Sequence, residues 1–97
     1  MNTDSKQGRQ NQRESRYANG RFFDSVSDSM TPDEQLLPFF CECADDGCVG
    51  RIEITGWRYE DIHADERDYV ILPGHMRIAG EEIMEENSYY EIVKKAA

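Results

Sequence analysis

No stretch of the chain approaches the roughly 20 consecutive apolar residues that a bilayer-spanning helix needs. Hydrophobic residues make up only 38% of its 97 positions. A membrane protein is therefore not expected. The opening segment, MNTDSKQGRQNQRES, has no apolar core of the kind a secretory signal carries. The expected compartment is the cytoplasm, where thiols stay reduced. Cations are also few, eleven Lys and Arg against twenty Asp and Glu, for a net charge of −9. The imbalance is uneven. Lys6, Arg9, Arg13, Arg16 and Arg21 outweigh Asp4 and Glu14, so residues 1–23 carry +3 and residues 24–97 carry −12. Nucleic-acid affinity comes largely from Lys and Arg neutralising phosphates, so direct binding of DNA or RNA by the body of the domain is not expected. A basic protein partner would be attracted; the plainer alternative is that the acid serves only solubility.

Cysteine is scarce too, and the three present all fall in FFCECADDGCVG, Phe39 to Gly50. An odd number leaves one thiol over from any closed disulfide framework. A chain of this size buries only about 60–65% of its unfolded surface. Such small domains often depend on a disulfide, a metal or a partner.

What is present reads as one small α+β unit. Residues 1–15 are polar and without apolar period, and are expected to be a disordered tail. In NGRFFDSVSDSM, Phe22, Val26 and Met30 fall four apart with Phe23 beside them, one face of a helix. In TPDEQLL, Thr31, Pro32 and Glu34 form a capping pattern for about a turn of helix. Phe39–Cys43 reads as extended, ADDG as a turn, and Arg51–Thr55 alternates as a half-buried strand should. FFCEC and RIEIT thus predict a hairpin with Cys48 at its turn. Thr55 caps a short helix, GWRYEDIHAD, with Tyr59 and Ile62 inward. Residues 68–72 form a strand ended by Pro73-Gly74. EEIMEE and YYEIVKK form a terminal hairpin around Asn87-Ser88. The expected divisions are a tail over 1–15, an N-terminal helical segment over 16–35 and the small α+β domain over 36–97.

Cys41, Cys43, Cys48 and His75 make a candidate metal site. Cys3His is a standard ligand set for structural zinc, and thiolates favour zinc over hard ions. Neighbours i and i+2 on a strand face the same side, so Cys41 and Cys43 can share one point. The acidic turn returns Cys48 to them, and His75 closes the site from a distant segment. Two other readings stand: three buried or free thiols, or a Cys43–Cys48 disulfide. His63 is expected on the surface of its helix, with a spare role as fourth ligand. Asp45 and Asp46 are read chiefly as turn residues. Glu81, Glu82, Glu85 and Glu86 read as a solvated face. No Ser-His-Asp or paired-acid arrangement stands out.

Taken together, FFCECADDGC, RIEITGWRYEDIHAD, DYVILPGH and YYEIVKK resemble a group of short bacterial proteins common in actinobacteria. That group's pattern runs F-x-C-E-C, a short turn, C, an I-x-L-T strand, a helix with E-Y-E, a strand ending P-G-H and a final V-V-E-K. Its upstream segment reads N-E-x-x-F-R-x-V-N-E-x-I, and Asn19, Phe23, Val26 and Met30 fall on its Asn, Phe, Val and Ile. The resemblance covers roughly residues 19–95. It implies that Cys41, Cys43, Cys48 and His75 belong together, and it supplies no activity. The chain departs from the pattern at Trp57 and Arg58, at His63 where an arginine is usual, and at Gly20 where an acid is. The expectation is therefore a cytoplasmic, zinc-stabilised (structural Cys3His), non-enzymatic regulatory or protein-interaction module with a basic partner. The alternative is a small metalloenzyme or thiol-redox protein using Cys43 or Cys48.

Overall fold

The computed structural model describes residues 2–3, 6–27, 35–45 and 47–95. In chain order these form β1 (Asn2–Thr3), α1 (Lys6–Ser27), β2 (Leu36–Phe40), β3 (Arg51–Thr55), α2 (Gly56–His63), β4 (Asp68–Ile71), β5 (Arg77–Ile78), β6 (Glu82–Glu86) and β7 (Glu91–Lys94). The fold is the small α+β arrangement expected. β2 and β3 form one antiparallel hairpin, and β4, β7 and β6 form a second antiparallel sheet in that order; β1 and β5 make a minor parallel pair. Among the described residues no helix is long and apolar enough to cross a membrane.

Local sequence accounts for most of these elements. In β3, Ile52 and Ile54 are buried while Arg51 and Glu53 are exposed, the alternation of a strand with one wet face. Thr55 caps α2, its hydroxyl accepting the Arg58 N–H at 3.1 Å. The core gathers Phe39, Ile52, Tyr59, Val70, Ile71 and Val93 between the sheets and α2. Phe39 stacks on Tyr59 with ring centroids 4.1 Å apart, and Tyr59 stacks on His63 at 4.0 Å. Phe22 meets Phe39 edge-on at 5.6 Å, so the aromatic face of α1 packs where its spacing indicated.

Three expectations are corrected. First, α1 begins at Lys6, so the described part of the tail expected over 1–15 is ordered helix and not a disordered segment. Its inward positions there are polar, with Asn11 and Gln12 buried, and Asn19 further along the helix is buried too. Asn11 Nδ2 donates to the Ala44 carbonyl at 3.0 Å, and Gln12 Nε2 to Glu81 Oε2 at 3.1 Å. The Arg16 guanidinium donates to carbonyls of His63, Asp65, Glu66 and Asp68, where α2 ends and β4 begins, and lies over the Tyr69 ring. These bonds supply what the missing apolar period could not. Second, β2 occupies Leu36–Phe40, so Cys41 and Cys43 follow the strand instead of lying within it. Third, His63 is not a surface residue: its side chain is only 9% exposed. The capping pattern of Thr31–Glu34, with Met30 and Asp46, lies outside the described residues.

Beyond Phe40 the chain leaves its hairpin partner for the second sheet. The Cys41 N–H still donates to the Gly50 carbonyl at 3.1 Å, but the Glu42 N–H donates to Val70 at 2.9 Å and Ala44 N–H to Met76 at 2.9 Å. Residues 41–44 are thus the seam between the sheets. Asn19 guards this turning point. Its side chain donates to the Phe40 carbonyl at 2.9 Å and accepts the Phe40 N–H at 2.6 Å, and it also donates to Glu42 Oε2 at 2.9 Å. Asn19→Ala would strip the Phe40 N–H and carbonyl of this partner and leave Glu42 Oε2 with the Tyr59 hydroxyl alone. We expect it to cost about 3 kcal/mol of stability, read as a lowered urea midpoint at unchanged m-value. A loss under about 1 kcal/mol would show that the seam does not rely on this amide.

Candidate metal centre

The seam carries two of the candidate ligands and the segments around it carry the others. Cys41 and Cys43 leave β2 on the same side, as alternation demands in extended backbone, and both are buried. The turn at 45–48 returns Cys48: Asp45 Oδ1 accepts the Gly47 N–H at 2.9 Å, an Asx turn, and the Cys48 N–H donates to the Asp45 carbonyl at 3.2 Å. His75 comes from the turn after β4. Its N–H donates to the Leu72 carbonyl at 3.1 Å, and Gly74 sits at φ +77. Leu72-Pro73-Gly74-His75 is thus a turn with proline second and glycine third, where positive φ is required. Gly50 also lies against the site. A Cβ there would come within 2.3 Å of Leu72 Cδ1 and 3.6 Å of Cys48 Sγ.

These elements bring together all four residues singled out from the sequence. The three sulfurs and a ring nitrogen of His75 lie within 4.8 Å of one another. His75 Nδ1 is 3.7 Å from Cys41 Sγ and 3.5 Å from Cys48 Sγ. Among the described residues this is the one group of three or more His, Cys, Asp or Glu side chains placed to hold a metal ion. All three cysteines are free, so the Cys43–Cys48 disulfide is not formed. Asp45 turns the loop, and His63 faces elsewhere. The Leu72 N–H donates to Cys41 Sγ at 3.1 Å, the sort of backbone bond that favours a thiolate. Cys48 and His75 are half-buried, so an ion reaches the site from their side.

The thiols do not share their protons evenly. The Cys41 thiol donates to Cys43, which raises Cys41 well above the ordinary thiol range, with burial adding to it. The same contact, with His75 second among the lowering contacts, brings Cys43 down to about 5. Burial raises Cys48. The trio therefore sits at neutral pH as one thiolate and two thiols, a nest that a cation completes by displacing two protons.

The sequence reading missed what lies behind the cysteines. Glu42, between Cys41 and Cys43, points the opposite way and is fully buried. Its Oε1 meets His63 Nε2 at 2.7 Å and accepts the Val70 N–H at 3.0 Å; its Oε2 accepts from Asn19 Nδ2 at 2.9 Å and from the Tyr59 hydroxyl at 3.4 Å. The other ring nitrogen of His63, Nδ1, lies 3.0 Å from the Tyr59 carbonyl. Burial, and then the charge of Glu42, raises the Tyr59 hydroxyl, which stays protonated and donates. A buried carboxylate is tolerated because every lone pair is met. The available signal was a charged residue at the strand position opposite two cysteines, on the core side of the alternation.

Filling the site requires deprotonated sulfurs, so affinity rises with pH. With Cys43 already ionised at neutral pH, we expect uptake of a divalent ion to release about two protons. Calorimetric titration of the reduced protein in buffers of different ionisation enthalpy measures this. As pH falls through the Cys43 value of about 5, a third proton must be expelled and affinity should drop more steeply. Release of three protons at neutral pH would contradict the uneven sharing.

Compared with known proteins, the chain matches no family model, no curated protein and no solved structure.

Proposed function

We propose that the protein is a zinc-stabilised, non-enzymatic module of the cytoplasm that acts by contact with a basic protein partner in a regulatory role. One observation carries the reading: four protein donors, three of them sulfur, converge within 4.8 Å. Sulfur-rich sets favour zinc over hard cations. Four protein ligands fill a tetrahedral ion, whereas a catalytic zinc keeps a position for water. The resemblance to the short actinobacterial proteins belongs to the same proposal, since it groups the same four residues. The −12 carried by residues 24–97 supports the choice of a basic partner.

The half-exposure of Cys48 and the lowered value at Cys43 favour a second reading, a thiol-redox or metalloenzyme role. Alkylation separates the two, because zinc-bound structural cysteines resist it and catalytic thiolates do not.

Native mass spectrometry of the reduced protein is expected to show one zinc per chain, lost in Cys43→Ser and His75→Ala. Chelation is expected to lower stability by about 5 kcal/mol or more, since structural zinc supplies about 10–16 kcal/mol in small peptides. A metal-free protein that keeps its melting temperature would overturn the structural assignment. Affinity capture from cell extract is expected to recover a basic partner at low salt and release it at high salt.

A further inference from the structure

Two of the sheet edges in this fold are closed by groups from elsewhere in the chain. On β2, Asn19 takes both backbone groups of Phe40. On β4, Glu42 takes both those of Val70, the carbonyl through its own N–H and the N–H through Oε1. The outer edge of β6 has neither device. β6 ends the order β4-β7-β6, and no strand lies beyond it among the described residues. All five of its residues are exposed, including Ile83 at 39% and Met84 at 51%. A free edge is a row of unpaired N–H and C=O groups, open to one more strand.

The charges on β6 select what can add there. Glu85 is engaged: Arg58 Nη2 donates to both its oxygens at 2.8 Å. Glu82 and Glu86 have no partner among the described residues. A second copy pairing antiparallel about Met84 would set Glu82 opposite Glu86, and like charges directly opposite destabilise. An extended segment bearing Lys or Arg reverses that sign and lays its apolar side chains beside Ile83 and Met84. The ladder to β7 shifts register between Ile83 and Glu85, an irregularity that any added strand, from a second copy or a partner, has to follow.

We propose that β6 is a docking strand that takes an extended basic segment of a partner protein as a fourth strand of this sheet. The proposal rests on the interaction function above and names the surface that performs it. Backbone bonds along β6 supply affinity, Glu82 and Glu86 supply the preference for cations, and Ile83 and Met84 supply apolar contact.

Two synthetic peptides of equal length and charge test it on the full metal-loaded chain: one alternating Lys and Val, one alternating Lys and Pro. The second has the charge but lacks the N–H groups a strand needs. The Lys-Val peptide is expected to slow amide exchange along β6 and to shift the β6 and β7 resonances, while the Lys-Pro peptide does neither. The exposed double change Glu82→Lys with Glu86→Lys is expected to weaken the Lys-Val peptide about tenfold. It should also admit a Glu-Val peptide. Equal binding of both Lys peptides, or shifts lying away from β6, would overturn the docking strand while leaving an acidic surface that binds basic partners. Failure of both peptides to bind at low salt would remove the basic-partner reading as well. Protection of β6 in the free protein that grows with its concentration would assign the edge to a second copy and overturn the proposal.

Discussion

A single buried carboxylate holds the architecture together. Glu42 collects donors from α1 (Asn19), α2 (Tyr59 and His63) and β4 (Val70), and its own N–H ties the end of β2 to β4. An ionised group in the interior is costly unless every lone pair is met. The consequence is strict: each of those elements must be in place for Glu42 to be inside at all. The aromatic stack of Phe39, Tyr59 and His63 stands beside it, so the polar hub and the apolar core share Tyr59 and are built by the same packing.

The candidate metal centre is the other face of that hub. In extended backbone Cys41 and Cys43 look one way and Glu42 the other. Whatever fixes Glu42 therefore aims the two sulfurs. Cys48 joins through a short Asx turn and His75 through a proline-glycine turn, both local devices that need little from the rest of the fold. A site joined to its scaffold in this way has ligands held by packing on one side and by tight turns on the other.

The parts of this arrangement that were legible in the sequence are those governed by short-range rules. Alternation marked β3, Thr55 marked the start of α2, the turn residues marked both hairpins, and cysteine chemistry marked the ligands. The unread parts depend on contacts distant in sequence. The first half of α1 has no apolar stripe, because its inward positions include Asn11 and Gln12, whose partners Ala44 and Glu81 lie far along the chain. A polar stretch with distant hydrogen-bond partners looks the same, by composition, as one with none. His63 read as a surface residue for the same reason: nothing near it in sequence announces a buried Glu42. The end of β2 was misplaced because the chain changes partner after Phe40, and alternation continues unbroken through the change.

The spacing of the ligands has a kinetic side. Cys41, Cys43 and Cys48 lie within one short loop, while His75 is 27 positions beyond Cys48, and the donors to Glu42 lie 17 to 28 positions away from it. Closing a short loop costs little chain entropy, and the cost climbs only slowly with length. Three sulfurs can thus grip an ion while most of the chain is still unfolded, before the hub exists. The long-range pairings then form around a loop already tied, with fewer conformations left to search. An ion held by the three sulfurs would then serve as a template for the longer-range closures around Glu42.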